Sequence, residues 1–343
     1  MTGITRRTEV IEGLSADGLP LNALLEAQRP AILRGVARDW PLVREGRQSA
    51  DRAMDYLLSF YAGQPVVGYE GAPEIAGRFF YNGDVTGMNF AAARARLDDW
   101  IARIRAHLDD PQAPALYVGS ADLDTTLPGL RAANGFAPDA PMFGPRAALA
   151  SIWIGNRTIA AAHHDMSNNL ACCLVGRRRF MLFPPDQVTN LYPGPLEPTP
   201  GGQAVSMVDF AAPDFQRYPR FRDALAEAEV ADLEPGDLLF YPALWWHQVE
   251  ALDRFNVMTN YWWNPSPAFM DSPMNTLLHG LLSLRDRPEA EKNGWRALFE
   301  YYVFGPAERA GAHLPGHARG ALGPLDDLKA RRLRADLLRR LNR

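Results

Sequence analysis

The segment His163-His164-Asp165 places an imidazole and a carboxylate two residues apart. Side chains alternate between the faces of an extended strand, so His163 and Asp165 point the same way and His164 points to the opposite face. Two such groups can bind one metal ion from the same side. A third ligand must come from another part of the chain, and His247 in Tyr241-Pro-Ala-Leu-Trp-Trp-His247 is the best candidate. Two histidines and one carboxylate are the ligand set of non-haem Fe(II) oxygenases, which leave three positions open.

A His-x-Asp pattern followed by a later histidine also occurs by chance in many sequences, so the secondary-structure elements around these residues decide the interpretation. From about residue 115, short apolar runs alternate with turns such as Pro184-Pro185-Asp186 and Glu234-Pro235-Gly236-Asp237. Many short strands with Pro and Gly turns are typical of a sandwich or barrel. In a jelly roll, all three ligands would lie at the mouth of the barrel. The predicted strands are Ala115–Val118, Ala148–Ile154, Asn169–Val175, Arg179–Phe183, Asp237–Tyr241, Gln248–Ala251 and Phe255–Trp262.

Helical patterns flank this β-rich region on both sides. Apolar residues at helical spacing predict a long helix over Asn89–Leu108. We therefore divide the chain into residues 1–114, helices and strands that pack on the core; 115–268, the jelly-roll core; and 269–343, a C-terminal helical segment. The other predicted flanking elements are a strand at Arg29–Val36 and helices at Leu21–Gln28, Ala50–Tyr61, Met274–Leu284, Ala290–Val303 and Leu325–Leu341.

The composition excludes several function classes. With 47% hydrophobic and 22% charged residues among 343, the chain has an ordinary globular mixture. Its formal net charge of −4 argues against binding nucleic acid through overall charge. Adjacent Cys172 and Cys173 cannot form a disulfide framework, and we find neither a secretory signal nor an apolar run long enough to cross a bilayer. We therefore expect a soluble cytoplasmic protein that binds no nucleic acid and no membrane.

The residues from about 148 to 264 carry a series of motifs in a fixed order, covering about a third of the chain. The series resembles the cupin-like branch of the Jumonji-C family of Fe(II)- and 2-oxoglutarate-dependent oxygenases, and within it is similar to the asparaginyl hydroxylase of hypoxia-inducible factor. The motifs are His163-His-Asp165 with Asn169, Gly176-Arg-Arg-Arg-Phe-Met-Leu-Phe-Pro-Pro-Asp-Gln187, Leu191-Tyr-Pro-Gly-Pro, Pro213-Asp-Phe-Gln-Arg-Tyr-Pro, Pro235-Gly-Asp, Trp245-Trp-His247 and Asn260-Tyr-Trp-Trp.

The resemblance implies a double-stranded β-helix, mainly β with flanking helices, that binds Fe(II) through His163, Asp165 and His247. It also implies a pocket for 2-oxoglutarate. Asn169 and Asn260 match polar groups that line this pocket, and Tyr117 matches a tyrosine that reaches the far carboxylate. The family threonine three residues before the first histidine is Ala160 here, and Thr158 has the same strand parity as Ala160 and could replace it.

Arg178 occupies the position where the relative has a lysine that pairs with the far carboxylate of 2-oxoglutarate. The only lysines of the chain are Lys292 and Lys329, so no lysine of the core could replace it. Strand alternation predicts that Arg178 points inward, whereas Arg177 and Arg179 point outward. The planar guanidinium can hold a carboxylate through two parallel hydrogen bonds. The alternative is that all three arginines lie on a solvated edge strand.

The activity implied by the resemblance is hydroxylation that consumes 2-oxoglutarate and O₂ and releases succinate and CO₂. The substrate would be a protein side chain or a small molecule. Where the relative reads asparagine, this chain has Ala204-Val205, which cannot make those hydrogen bonds. The C-terminal helices occupy the place where relatives form a dimerisation element, so we expect a homodimer.

Two other functions remain open from the sequence. A metal-dependent cupin enzyme that does not use 2-oxoglutarate would need no basic anchor, so an outward Arg178 would favour it. A non-catalytic cupin-like binding protein would not need the three metal ligands.

Overall fold

The computed structural model describes residues 4–137, 139–144 and 146–342. Residues up to Pro265 form one compact unit, and Ser266 begins a second, helical unit. Across the described residues, no helix combines the length and the apolar character that crossing a bilayer requires.

The first unit contains two β-sheets, and the expected β-rich fold with flanking helices is confirmed. The strands are β1 Arg6–Arg7, β2 Glu9–Ile11, β3 Ala31–Leu33, β4 Val66–Gly71, β5 Arg78–Phe79, β6 Phe90–Ala95, β7 Ala115–Asp122, β8 Leu149–Gly155, β9 Ile159–His164, β10 Asn168–Val175, β11 Arg178–Phe183, β12 Glu229–Leu233, β13 Leu238–Tyr241, β14 Trp246–Ala251 and β15 Asn256–Trp263. One sheet has the order β1-β12-β11-β14-β9-β5, and the other β2-β3-β13-β10-β15-β8-β7-β4-β6. Every strand predicted from residue 115 onward is present, with ends that shift by a few residues.

The helices lie before, between and after the strands. They are α1 Leu21–Ala27, α2 Pro41–Gln48, α3 Ala50–Leu58, α4 Leu97–Ala106, α5 Leu123–Thr126, α6 Leu130–Asn134, α7 Phe221–Glu227, α8 Pro273–Ser283, α9 Glu289–Phe299 and α10 Asp327–Leu341. Short 3₁₀ turns occur at Ala16–Gly18, Pro73–Ile75, Pro141–Phe143, Pro185–Thr189, Arg309–Gly311, Gly316–Ala318 and Gly320–Leu322, and a π turn at Glu300–Phe304.

Apolar side chains from both sheets meet in the interior of the barrel. Phe180 and Val249 of the six-stranded sheet pack in one buried cluster with Leu239 and Met258 of the nine-stranded sheet. The other face of the nine-stranded sheet is covered by helices, among them α4, whose Trp100 is 1% exposed. Burial of an apolar side chain of this kind stabilises the fold by about 1.5–3 kcal/mol.

The helix predicted over Asn89–Leu108 is wrong in its first half. Phe90–Ala95 is a strand that pairs antiparallel with β4, and the helix begins at Leu97. Alanine-rich sequence favours a helix locally, but the exposed backbone of β4 offers hydrogen bonds that pairing satisfies, so tertiary context overrides propensity. The N-terminal residues thus extend both sheets as well as packing on the core.

Candidate active site

The structure brings the three predicted metal ligands together. His163 on β9 lies directly opposite His247 on the antiparallel β14, and Asp165 follows the end of β9. One ligand atom from each of the three residues lies within 4.8 Å of the other two. The imidazole ring centroids are 4.4 Å apart, and Asp165 Oδ2 is 3.7 Å from His247 Nε2. Two nitrogens and one oxygen converge here as a cation with open coordination positions requires.

Backbone carbonyls orient both imidazoles. His163 Nδ1 lies 2.8 Å from the carbonyl oxygen of Ala161, and His247 Nδ1 lies 3.0 Å from that of Trp245. A carbonyl oxygen can only accept, so each Nδ1 carries the proton. The lone pair of each Nε2 is therefore available to a metal ion, which is how outer partners select the tautomer of metal-binding histidines.

The electrostatics favour the ionisation states that metal binding needs. Burial lowers the pKa of His247 to about 4, so its imidazole is neutral at pH 7. Burial alone would raise the pKa of Asp165. The nearby His247 and His163, with hydrogen bonds from Trp262 and Asn169, outweigh that effect and lower it. A neutral imidazole and an ionised carboxylate are the forms that bind a cation.

Two side chains donate to the Asp165 carboxylate, and two more side chains support one of these donors. Trp262 Nε1 and Asn169 Nδ2 each donate to Asp165 Oδ2 at 3.1 Å. Asn260 Nδ2 donates to Asn169 Oδ1 at 3.4 Å, and Trp153 Nε1 donates to Asn260 Oδ1 at 2.6 Å. The two asparagines predicted to line the co-substrate pocket thus also connect Trp153 to a metal ligand.

Arg178 points into the barrel, as strand alternation predicts. Its side chain is 1% exposed, whereas Arg177 and Arg179 lie on the outside in ion pairs with Asp253 and Asp232. Arg178 Nε and Nη2 are buried and have no hydrogen-bond partner among the described residues. Such a buried, uncompensated charge costs several kcal/mol unless a ligand pairs with it.

Tyr117 is next to this guanidinium. Burial raises the pKa of Tyr117 to about 12, and the smaller opposite effect comes from the positive charge of nearby Arg178. The tyrosine ring stacks between Phe79 and Trp153, with a centroid distance of 5.8 Å to each. The phenol is therefore a neutral hydrogen-bonding group held beside the arginine.

A β-bulge places Thr158 on the interior face. In the pairing of β9 with β14, His163 is opposite His247 and Ala160 is opposite Val249. Two residues of β9 therefore lie between these pairs, against one residue of β14. This extra residue turns Ala160 to the same face as His163. Thr158 precedes β9 and is 3% exposed, and its carbonyl oxygen accepts from Ala251 N of β14, so the pairing continues and Thr158 has the same orientation as Ala160.

The predicted metal ligands and Arg178 lie at different depths of one interior face. On β11, Arg178 is opposite Ala251 of β14, and Leu182 is opposite His247. The four-residue separation of Arg178 and Leu182 corresponds to about 13 Å along the strand.

A surface groove of about 410 Å³ opens to solvent beside Asp165. Asp165 lies in its wall with Met166 and Trp262, and Arg146 and Leu149 form another part of its lining. A substrate in this groove would lie against the metal ligand.

Two site residues were missed by the sequence analysis. Trp153 lies on the predicted strand Ala148–Ile154, but strand parity alone does not say which face is the interior. Tyr241 is 3% exposed, and its ring centroid lies 4.6 Å from that of His247. Burial raises the pKa of Tyr241 well above its ordinary value, so the phenol stays protonated beside the metal ligands.

Residues 19–269 match the model of the cupin-like domain family. The chain is 33% identical to lysine-specific demethylase JMJ31 of Arabidopsis thaliana over 142 residues, which is 38% of this chain and 25% of that protein. It is 36% identical to human HSPB1-associated protein 1 over 114 residues, 33% of this chain and 23% of that protein. It is 25% identical to lysine-specific demethylase 8 of Xenopus tropicalis over 245 residues, 70% of this chain and 49% of that protein. The matches thus span between 23% and 49% of the length of these relatives.

Proposed function

Because the chain belongs to the cupin-like domain family, we propose that it is an Fe(II)- and 2-oxoglutarate-dependent oxygenase that hydroxylates a protein side chain or a small molecule. His163, Asp165 and His247 would hold the iron, with two oriented Nε2 atoms and one ionised carboxylate. Bound iron with 2-oxoglutarate supplies O₂ activation, which no side chain of the site can supply.

The observation that carries the proposal is the buried guanidinium of Arg178, two of whose nitrogens have no partner among the described residues. A dicarboxylate in the barrel would accept hydrogen bonds from this fork and compensate its charge. Tyr117 would add a neutral hydroxyl at the same end, and Thr158 faces the same interior. The apolar side chains of Phe180, Val249 and Met258 would exclude water from this pocket.

The alternatives from the sequence are less well supported. A metal-dependent cupin enzyme without 2-oxoglutarate has no use for a buried arginine with two nitrogens that lack a partner in the described part of the chain. A non-catalytic binding protein has no use for two histidines whose tautomers are both set for metal binding. We therefore favour the 2-oxoglutarate-dependent reaction.

For the substrate we propose only a class, a protein side chain or a small molecule. Ala204 and Val205, at the place where the relative reads asparagine, are 8% and 3% exposed, which gives no support to an asparagine substrate. The groove beside Asp165 is lined by aromatic, aliphatic and polar groups, with Arg146 as a cation. Incubation of cell lysate with enzyme, Fe(II) and 2-oxoglutarate, followed by a search for products heavier by one oxygen atom, would identify the substrate.

Succinate release from 2-oxoglutarate, measured with and without Fe(II), tests the activity itself. We expect iron-dependent turnover in the wild type and none in Asp165→Ala. An Asp186→Ala variant, changed in a turn outside the site, is the matched control and should keep its turnover. Full turnover by Asp165→Ala, or no binding of 2-oxoglutarate by the wild type, would refute the proposal.

We also propose a homodimer through the second unit. Its described helices expose many large apolar side chains, and Ala310 and Ala330 are the apolar residues buried in the described part of this unit. Exposed apolar surface of this extent is typical of protein–protein interfaces, and a second copy would cover it with the same surface. The exposed residues are Met270, Leu277, Leu278, Leu282, Trp295, Leu298, Tyr302, Val303, Phe304, Leu325, Leu328, Leu333, Leu337, Leu338 and Leu341.

A further inference from the structure

Trp153 begins a chain of hydrogen bonds that all run in one direction. An indole N–H can only donate, so its 2.6 Å bond to Asn260 Oδ1 fixes which end of that amide faces the tryptophan. The Asn260 amino group must then point away, and it donates to Asn169 Oδ1 at 3.4 Å. Asn169 in turn directs its amino group to Asp165 Oδ2 at 3.1 Å. One tryptophan thus sets the orientation of two amides.

On the premise of the proposed function, we propose that Trp153 is a positioning residue for the metal centre, which acts on Asp165 through Asn260 and Asn169. Trp153 itself donates no hydrogen bond to Asp165, and its effect passes through the two asparagines. It adds an orienting group to the metal centre beyond the three ligands and their immediate partners.

A second contact of Trp153 reaches the same carboxylate oxygen. Its ring meets Trp262 edge to face, with centroids 5.9 Å apart and an interplanar angle of 87°. Trp262 Nε1 donates to Asp165 Oδ2 at 3.1 Å. Both donors to this oxygen are therefore supported by Trp153, one through hydrogen bonds and one through packing.

Loss of the indole N–H would release the relay. Phenylalanine keeps an aromatic ring at this position but has no donor, so Asn260 Oδ1 would lose its partner and the amide could turn. A turned Asn260 would face Asn169 with an acceptor instead of a donor. If Asn169 followed, its carbonyl oxygen would meet the Asp165 carboxylate, and two acceptors repel each other. Asp165 would then be free to leave the orientation that a metal ion requires.

Equilibrium binding of Co(II), with the visible absorption of the bound ion as a second readout, tests this without any turnover. Co(II) accepts nitrogen and oxygen ligands of this kind, and its spectrum reports their geometry. We expect Trp153→Phe to bind Co(II) about tenfold more weakly, at the lower end of the effects that outer partners have on metal affinity. We also expect its spectrum to change.

Trp100→Phe is the matched control. Trp100 is also a tryptophan of the first unit, is 1% exposed, and its Nε1 has no hydrogen-bond partner among the described residues. Its replacement removes the same atoms without breaking a relay, so Co(II) affinity and spectrum should remain those of the wild type.

A double-mutant cycle separates the relay from simple packing. If Trp153 acts through Asn260, then Asn260→Ala alone should lose as much Co(II) affinity as Trp153→Phe, and the double variant should lose no more than either. Independent losses that multiply in the double variant would overturn the inference. So would wild-type affinity in Trp153→Phe or, should that variant not fold, in Asn260→Ala.

These outcomes distinguish a failure of the proposed metal centre from a failure of the proposed role of Trp153. A wild-type protein that binds no Co(II) would refute the proposed metal centre and the inference together. A wild type that binds Co(II) and releases succinate from 2-oxoglutarate, with no effect of Trp153→Phe, would refute the inference alone.

Discussion

Ala160 and His163 face the same side of β9 although they are three positions apart, because a bulge gives β9 one more residue between them than β14 has between their partners Val249 and His247. Regular alternation would place them on opposite faces. The bulge brings the strand segment before Ala160, including Thr158, onto the face that carries the metal ligands and Arg178. The interior face is therefore continuous from the metal centre to the proposed carboxylate anchor.

Replacement of Thr158 by Val should weaken 2-oxoglutarate binding about fivefold, the effect expected for one neutral hydrogen bond. Calorimetric titration of Mn(II)-loaded protein would measure it. Thr8→Val is the control, since Thr8 is also buried but its hydroxyl lacks a partner among the described residues. Equal affinities for Thr158→Val and the wild type would remove Thr158 from the pocket.

Arg178→Met should weaken 2-oxoglutarate binding roughly 100-fold, because the carboxylate would lose a buried charged partner. The same change should raise the free energy of unfolding of the ligand-free protein by at least about 1 kcal/mol, since an uncompensated buried charge is removed. Binding titrations and urea unfolding measure the two effects. Arg178→Lys, which keeps the charge and loses the fork, should lie between the two proteins in affinity.

Arg177→Met is the control for that experiment, because Arg177 is an outward neighbour paired with Asp253. It should leave 2-oxoglutarate affinity unchanged. If Arg178→Met and Arg177→Met bind 2-oxoglutarate equally well, Arg178 is not the anchor.

The metal-free protein should lose stability as the pH falls from 6.5 to 4. Burial lowers the pKa of His247 to about 4 in the folded state, whereas the unfolded chain takes up this proton near its ordinary pKa of 6.5. The unfolded state therefore binds more protons in this interval, and acidification favours it by up to roughly 3 kcal/mol. Asp165, whose pKa is lowered from 3.8, adds a loss in the same direction at lower pH.

Denaturant unfolding at several pH values between 7 and 4 measures this loss. His247→Asn should show a smaller loss over the interval, and His279→Asn, changed at an exposed position of α8, should behave as the wild type. An identical pH dependence in His247→Asn would show that another group is responsible.

A charge on the apolar surface of α10 should dissociate the proposed homodimer. Leu337 and Leu338 are 46% and 55% exposed, so aspartate at both positions would be hydrated in a free subunit but buried in the interface. Sedimentation velocity should give a dimer for the wild type and a monomer for this variant. Leu196→Asp, changed at a 45% exposed position of the first unit, should stay dimeric, and a monomeric wild type would contradict the proposal.

Local sequence determined much of this protein. Strand alternation and turn chemistry were enough to predict the β-rich core, the inward orientation of Arg178 and the common face of His163 and Asp165, because these properties depend on neighbouring residues. Tertiary structure decided the rest. Pairing with β4 made Phe90–Ala95 a strand, and the match to β14 created the bulge beside Ala160. Arg178 is buried with two nitrogens that have no hydrogen-bond partner among the described residues, and the relay from Trp153 to Asp165 joins residues far apart in the chain. Only folding selects which polar groups meet in the interior.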